Sequence, residues 1–373
     1  MFGGIERLLV TLARQRSLCP MMEPTFAACF EGQLTSELRE TGAAVEVLGA
    51  VRASRPWTGW LARRRLKKII RRGGFDVVLA HACWPLVMLG KAARELPLVL
   101  WSHDILKNDN WIETQAARTP PDLIIANSRA TAESVKGVFP VTPSRREYYP
   151  VAGSEMFDRE RVRREVRTEL GTTDDAVAIV CTSRLERWKG HSVLVDAMAK
   201  LKGEPGWECW VVGGAQRESE KEYLGELKAA AIAGGVEDRV RFLGQRKDVA
   251  RLLAAADVHC QPNTGPEPFG IAFVEAMYAG LPVVTSGIGG GAELIDSSAG
   301  LLTTAGDSAD VARALTTLIG DAELRTRLGA GGQARAKALC DPAMTMTKLQ
   351  ALLAGATKGR SAETLVRGEE AVA

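Results

Sequence analysis

The chain has 373 residues, of which 46% are hydrophobic and 25% charged, with a formal net charge of +3. That length accommodates two or three domains, and that balance excludes wholesale disorder. Seven cysteines are scattered without a CxxC pair, and the four histidines form no HExxH, which excludes a zinc ribbon and a secreted disulfide framework and points to a reducing cytoplasm.

Charges at Glu6, Arg7 and Arg14 interrupt the N-terminus, so it does not read as a secretory signal. No apolar run approaches the roughly 18 residues of a membrane-spanning helix. Next comes a basic run, Trp60–Arg72, with seven Lys and Arg residues. At helical spacing Ala62, Leu66, Ile69 and Ile70 form one stripe and the basic side chains cover the other side. Two roles suit it: a surface helix packed on a sheet, or, with Trp57 and Trp60, docking of residues 57–72 to an anionic membrane face. No nucleic-acid recognition motif accompanies the charge, so no nucleic-acid partner is expected.

Short apolar runs read as buried strands at Val45–Leu48, Val77–Ala80, Leu98–Trp101 and Leu123–Ala126. A second series follows at Ala178–Cys181, Cys209–Val212, Val240–Leu243, Val258–Gln261 and Pro282–Thr285, with helices over Ser192–Leu201, Glu218–Ala233, Val249–Ala255 and Ile271–Tyr278. Alternation of apolar strands with helices means parallel sheets covered on both faces. Residues 1–150 carry 21 Lys and Arg against 14 Asp and Glu, whereas the rest carries a net −4. Two domains are therefore expected, 1–152 and 153–338, joined near Pro150–Asp158. A last helix over 339–355 is expected to cross back to the first domain, with a frayed tail over 356–373.

Candidate chemistry gathers in two loops. In the first, Arg184 and Lys189 stand after one strand and ahead of a helix, where open α/β sheets bind ligands and where two cations suit a diphosphate. The second runs from Pro262 to Pro282; Glu267 precedes a helix expected to start near Phe269, and Glu275 lies within it on an otherwise apolar face. A carboxylate there is costly to bury without a polar partner, and sugar hydroxyls are suitable partners. Either glutamate alone also reads as a helix-terminal charge or a structural hydrogen bond.

The segments SRLERWKGHSVLVDAM and EPFGIAFVEAMYAGLPVV together resemble the donor half of glycosyltransferase family 4, the retaining, nucleotide-sugar-dependent enzymes of GT-B fold. Gly287–Gly291, Glu293, Gly300–Leu302 and Gly306–Asp307 resemble the family's following stretch. The resemblance runs from about residue 3 to about 350 and is more specific in its C-terminal half. It implies two facing Rossmann-like, doubly wound domains, the first for the acceptor and the second for the donor. It implies that Arg184 and Lys189 hold the leaving diphosphate, that Glu267 binds hydroxyls of the transferred sugar, and that Glu275 binds the ribose. The backbone at Phe269, Gly270 and Ile271 would contact sugar or phosphate. It further implies transfer of a hexosyl group to a glycan or lipid-linked acceptor, with no cofactor and no metal, the two cations doing the work of a metal ion. The place would be the cytoplasm, peripherally at the inner membrane face.

In the N-terminal half, Gly3-Gly4 resemble the loop that joins the family's first strand to its first helix and lies against the donor phosphates. The strand that should precede them is missing, so the natural chain is expected to carry roughly 8–20 residues more, a strand and its lead-in. His103, after Leu98–Ser102, resembles the family's strand-end histidine near the reacting sugar and would orient donor or acceptor. His81 also matches a family position and reads as structural or at the acceptor edge; His191 and His259 read as structural. Asn127-Ser128 resemble the family's turn after the next strand, whereas Tyr148–Gly153 depart from its usual Asn-Gly turn. A non-catalytic nucleotide-sugar-binding subunit and a sugar-nucleotide epimerase of the same fold are the competing readings.

Overall fold

The computed structural model describes residues 3–153 and 158–357. The chain divides into two compact units, Met1–Ala152 together with the segment from Cys340 onward, and Gly153–Leu339.

The first unit opens with the helix Gly4–Arg14. Its strands are β1 (Thr25–Ala28), β2 (Ala44–Val47), β3 (Val78–His81), β4 (Leu98–Ser102), β5 (Leu123–Ala126) and β6 (Ser144–Arg146). All pair in parallel, β1 with β2 alone and β3 to β6 in chain order, so the expected N-terminal sheet is split in two. Every residue of β4 and β5 is buried, which explains why these uninterrupted apolar runs were legible as strands. The basic run lies in a helix, Pro56–Gly73, that buries Ala62, Leu66, Ile69 and Ile70 as the spacing predicted. Pro56 occupies its first turn, where a missing N–H costs nothing, and Gly74 closes it in the left-handed conformation. The last helix, Pro342–Thr357, belongs to this unit, and the Val151 N–H donates to the Cys340 carbonyl at 3.0 Å. The expected tail lies, from residue 358 on, outside the described residues, as do 154–157 of the junction.

The second unit is one six-stranded parallel sheet of β7 (Val177–Thr182), β8 (Trp207–Val212), β9 (Val240–Gly244), β10 (Val258–Gln261), β11 (Val283–Ser286) and β12 (Gly300–Thr303). Its order is β12-β11-β10-β7-β8-β9. The chain therefore starts at the centre, runs outward through β8 and β9, then returns to the other side of β7 at β10. Adjacent β7 and β10 send their following loops to opposite sides, and this switch point is where open parallel sheets leave room for a ligand at the carboxyl edge. Among the described residues no helix is long and apolar enough to cross a membrane. All seven cysteines are free thiols.

Candidate active site

Arg184 and Lys189 follow β7, and Glu267 follows β10, so the two loops read from sequence meet at the switch point of the second sheet. Their contact depends on Gly190. It sits at φ 79°, and a Cβ there would fall 1.8 Å from the Pro262 carbonyl oxygen, so only glycine lets the loops close. The N–H of Thr264 donates to the Trp188 carbonyl at 2.8 Å and locks them together.

Lys189 Nζ donates to Glu267 Oε2 at 2.6 Å, and the two side chains are only 12% and 9% exposed. The same oxygen accepts from the amides of Gln261 and Asn263 at 3.2 Å each. Behind it, Gly289 and Gly290 press on the loop backbone: the Gly290 N–H donates to the Glu267 carbonyl at 2.6 Å, and a Cβ on Gly289 would meet the Glu267 backbone at 2.5 Å. Gln261 and Ser286 end β10 and β11, and Gln261 Oε1 and Ser286 Oγ are buried without a partner in the structure. Orphaned buried polar atoms are uncommon, and at a strand's carboxyl edge they mark a place for an outside hydrogen-bonding group.

The helix after Glu267 spans Ile271–Tyr278, the bounds read from the apolar pattern, and starts just past Phe269 because Gly270 at φ 107° turns the chain and serves as its N-cap. Phe269 is buried, and Ile271 opens the first turn, whose N–H groups favour an anion. Glu275 does not lie among the buried apolar positions; the helix rotates Phe273, Val274, Ala276 and Met277 inward and leaves Glu275 half-buried. Arg184 is half exposed and pairs with Glu186 at 2.9 Å. Among the described residues no group of three or more His, Cys, Asp and Glu side chains is placed to hold a metal ion.

Two family models match, "Glycosyl transferases group 1" over residues 162–335 and "Glycosyltransferase Family 4" over residues 2–150. The lipopolysaccharide core biosynthesis glycosyltransferase LpsE of Rhizobium meliloti is 32% identical over 72% of each chain. This chain belongs to glycosyltransferase family 4. A phosphatidyl-myo-inositol mannosyltransferase of Mycobacterium leprae is 41% identical over 39% of this chain and 37% of its own length. The match thus spans well under two thirds of that relative. Among solved structures, Anabaena Alr3699/HepE in complex with UDP superposes with a TM-score of 0.81 at 28% identity, covering 95% of this chain and 97% of that one. The two Rossmann-like units are the family's GT-B fold.

Gly3, Gly4, His81 and His103 lie in the first unit. Gly3 caps the first helix and Gly4 is its first residue, so Gly4 is not in a loop; the Gly3 N–H donates to Glu6 Oε2 at 2.9 Å. His103 follows β4 as expected but is 4% exposed, and both ring nitrogens are engaged, Nε2 with His81 Nδ1 at 2.9 Å and Nδ1 with the Tyr149 hydroxyl. Burial pushes its basicity well below the ordinary histidine value and holds His81 at about 4. His191 and His259 bond to Ser183 and Thr182 hydroxyls in the second unit, which fits a structural role. Sequence reasoning missed Gln261, Asn263 and Ser286 at this sheet edge; standing at or just past a strand's carboxyl end was the available signal.

Proposed function

We propose that the chain transfers a hexosyl group from a nucleotide-diphosphate sugar to a glycan or lipid-linked acceptor, with retention at the anomeric carbon. The observation that carries this is the Lys189–Glu267 pair at the switch point; Arg184 lies in the same loop as Lys189 and pairs with Glu186. A diphosphate supplies the anion that competes for Lys189, and a sugar hydroxyl donates to Glu267 in place of the ammonium. Arg184 and Lys189 then stabilise the leaving diphosphate without a metal ion, and rate comes from positioning and electrostatic stabilisation. The backbone at Phe269, Gly270 and Ile271 contacts sugar or phosphate, and Glu275 takes the ribose hydroxyls. A uridine nucleotide is the first donor to try, since HepE is 28% identical and its structures contain UDP and UDP-glucose. A lipid-linked acceptor follows from the names of the relatives, one acting on phosphatidyl-myo-inositol and one in lipopolysaccharide core biosynthesis. Seven free thiols suit the cytoplasm, and residues 57–72 suit peripheral attachment to an anionic membrane face.

The test is a thermal-shift panel of UDP-, GDP-, ADP- and dTDP-sugars. Saturation at 100 times the dissociation constant adds about 2.7 kcal/mol, several degrees for domains of this size. One nucleotide series is expected to raise the midpoint, and Glu275→Ala to abolish the rise. Silence across the panel overturns the reading.

A further inference from the structure

In the second unit, Arg159, Arg163 and Arg167 recur every four residues along the helix Arg159–Leu170 and so share one face of it. Their partners are Ala254, Ala255 and Asp257, which lead into β10. Arg163 pairs with Asp257 Oδ1 at 2.8 Å and Arg167 with Asp257 Oδ2 at 2.5 Å, and the second oxygen also accepts the Ala178 N–H at 2.7 Å. One carboxylate thus serves two guanidinium groups. Arg159, the third, makes no ion pair among the described residues; its Nε donates to the Ala254 carbonyl at 3.3 Å.

A second unpaired cation comes from the helix Ala322–Cys340. Arg325 donates from one terminal nitrogen to the Leu318 and Ile319 carbonyls at 2.5 and 3.0 Å, and it too makes no ion pair among the described residues. Backbone carbonyls tether both guanidinium groups without cancelling their charge. Arg159 and Arg325 line one cleft of about 350 Å³ together with Gly280, Thr326 and Gln333. Donors converge over Gly280: a Cβ built there would lie 3.1 Å from Gln333 Nε2 and 3.3 Å from Arg159 Nη1. Gln333 Nε2 donates one hydrogen to the Tyr278 carbonyl at 3.2 Å, which identifies that end of the amide as NH2 and leaves its second hydrogen uncommitted. Residues 153–339 carry 23 Lys and Arg against 27 Asp and Glu, so the cleft is a local concentration of positive charge on an acidic unit.

The cleft stands apart from the loops of Lys189 and Glu267. Asp257 and Gly280 precede β10 and β11, at the amino edge of the parallel sheet, whereas Gln261, Glu267 and Ser286 end or follow those strands at its carboxyl edge. We infer that this cleft is an anion-binding site that takes the phosphate group of a small phosphorylated ligand against Arg159, Arg325 and the Gln333 amide. Guanidinium groups suit a phosphate because they remain charged and present several N–H donors in a fixed fork. The volume lies at the low end of small-ligand clefts, about 300–1,000 Å³, which suits a phosphate with a small remainder. This site does not rest on the glycosyl-transfer reading.

Isothermal titration of the full chain at constant ionic strength, with inorganic phosphate and with a hexose 6-phosphate, tests it. Saturable binding of at least one is expected, and is expected to persist in Arg184→Gln, which removes a cation of the proposed donor site. Arg159→Gln and, separately, Gln333→Glu, which puts a carboxylate in the cleft beside Arg159, are each expected to weaken binding at least about tenfold, the scale of one charge-assisted hydrogen bond. Both positions are exposed, so without phosphate both variants are expected to melt close to the unsubstituted chain. Tighter binding of the hexose phosphate identifies a phosphorylated metabolite as the source, and equal affinity identifies the free ion; either supports the site. Binding of neither, binding that survives both cleft variants, or binding lost in Arg184→Gln overturns it, and none of these outcomes decides whether the chain transfers sugar.

Discussion

A lysine and a glutamate each about nine-tenths buried and 2.6 Å apart are worth more as a pair than either is alone. Lys189→Ala leaves the Glu267 carboxylate in a nearly dry site with only the Gln261 and Asn263 amides, and breaking such a pair costs about 3–5 kcal/mol where burial is complete. Some solvent reaches this pair, so a loss of about 2–3 kcal/mol is expected in denaturant melts. Glu267→Gln keeps an acceptor but strands the ammonium, and the double variant is expected to be less destabilised than the sum of the two singles. Both singles are expected to lower turnover at least about tenfold, because each removes a charged contact of the proposed donor site. Near-normal turnover in both would remove the site from catalysis; additive stabilities would show that the pair does not couple.

The helix Pro56–Gly73 shows what an element adds to a residue count. Its seven basic residues looked equivalent in sequence, but Arg63 and Arg65 donate to the Met88 and Leu48 carbonyls, and Arg71 and Arg72 pair with Glu95 and Glu46. Arg64, whose guanidinium lies over the Trp60 ring at 4.7 Å, Lys67 and Lys68 make no ion pair among the described residues, next to Trp57, Trp60 and Leu61, which are 60%, 53% and 45% exposed. The proposed attachment to an anionic bilayer would rest on three cations at about 1 kcal/mol each together with Trp57 and Trp60, which makes it weak and salt-sensitive. The full chain is expected to float with vesicles containing phosphatidylglycerol but not with pure phosphatidylcholine, and Arg64→Glu/Lys67→Glu/Lys68→Glu is expected to stay in solution. A chain that ignores both vesicle types ends the membrane reading. The apolar stripe of this helix was legible because burial selects for it at helical period, whereas the internal use of four cations depends on carbonyls and carboxylates distant in sequence. For the same reason β4, β5 and β7 could be read from their apolar runs, and β6, Ser-Arg-Arg, could not: it is a polar edge strand defined by its neighbour β5. The Lys189 and Glu267 loops were legible because each follows a buried strand. That Glu267 takes Lys189 as its partner depends on Gly190 and Gly289, whose close approaches exist only in three dimensions.

At the scale of the whole molecule, burial has placed titratable rings where they must stay neutral. His81 and His191 are held at about 4, His259 at about 3 and His103 well below its ordinary value, in each case chiefly by desolvation. A group whose basicity is depressed by folding binds its proton more readily in the unfolded chain. The stability it contributes is complete above pH 6.5 and is lost as the pH falls toward 4. Glu147 runs the other way: burial raises its carboxyl to about 7, so its contribution is lost as the pH rises from 4.5 to 7. Four histidines outweigh one glutamate, and two of them lie in each unit, so both units share the acid side of the profile. Each of the rings held at about 3 or 4 removes about 2 kcal/mol by pH 5, and His103 acts in the same direction. Melts of the full chain at pH 7.5, 6 and 5 are therefore expected to show steep acid destabilisation. His259→Gln is expected to flatten that slope, while Glu147→Gln leaves it in place and stabilises the chain above pH 7. A melting midpoint unchanged between pH 7.5 and 5 would mean that the rings are solvated or charged in the folded protein.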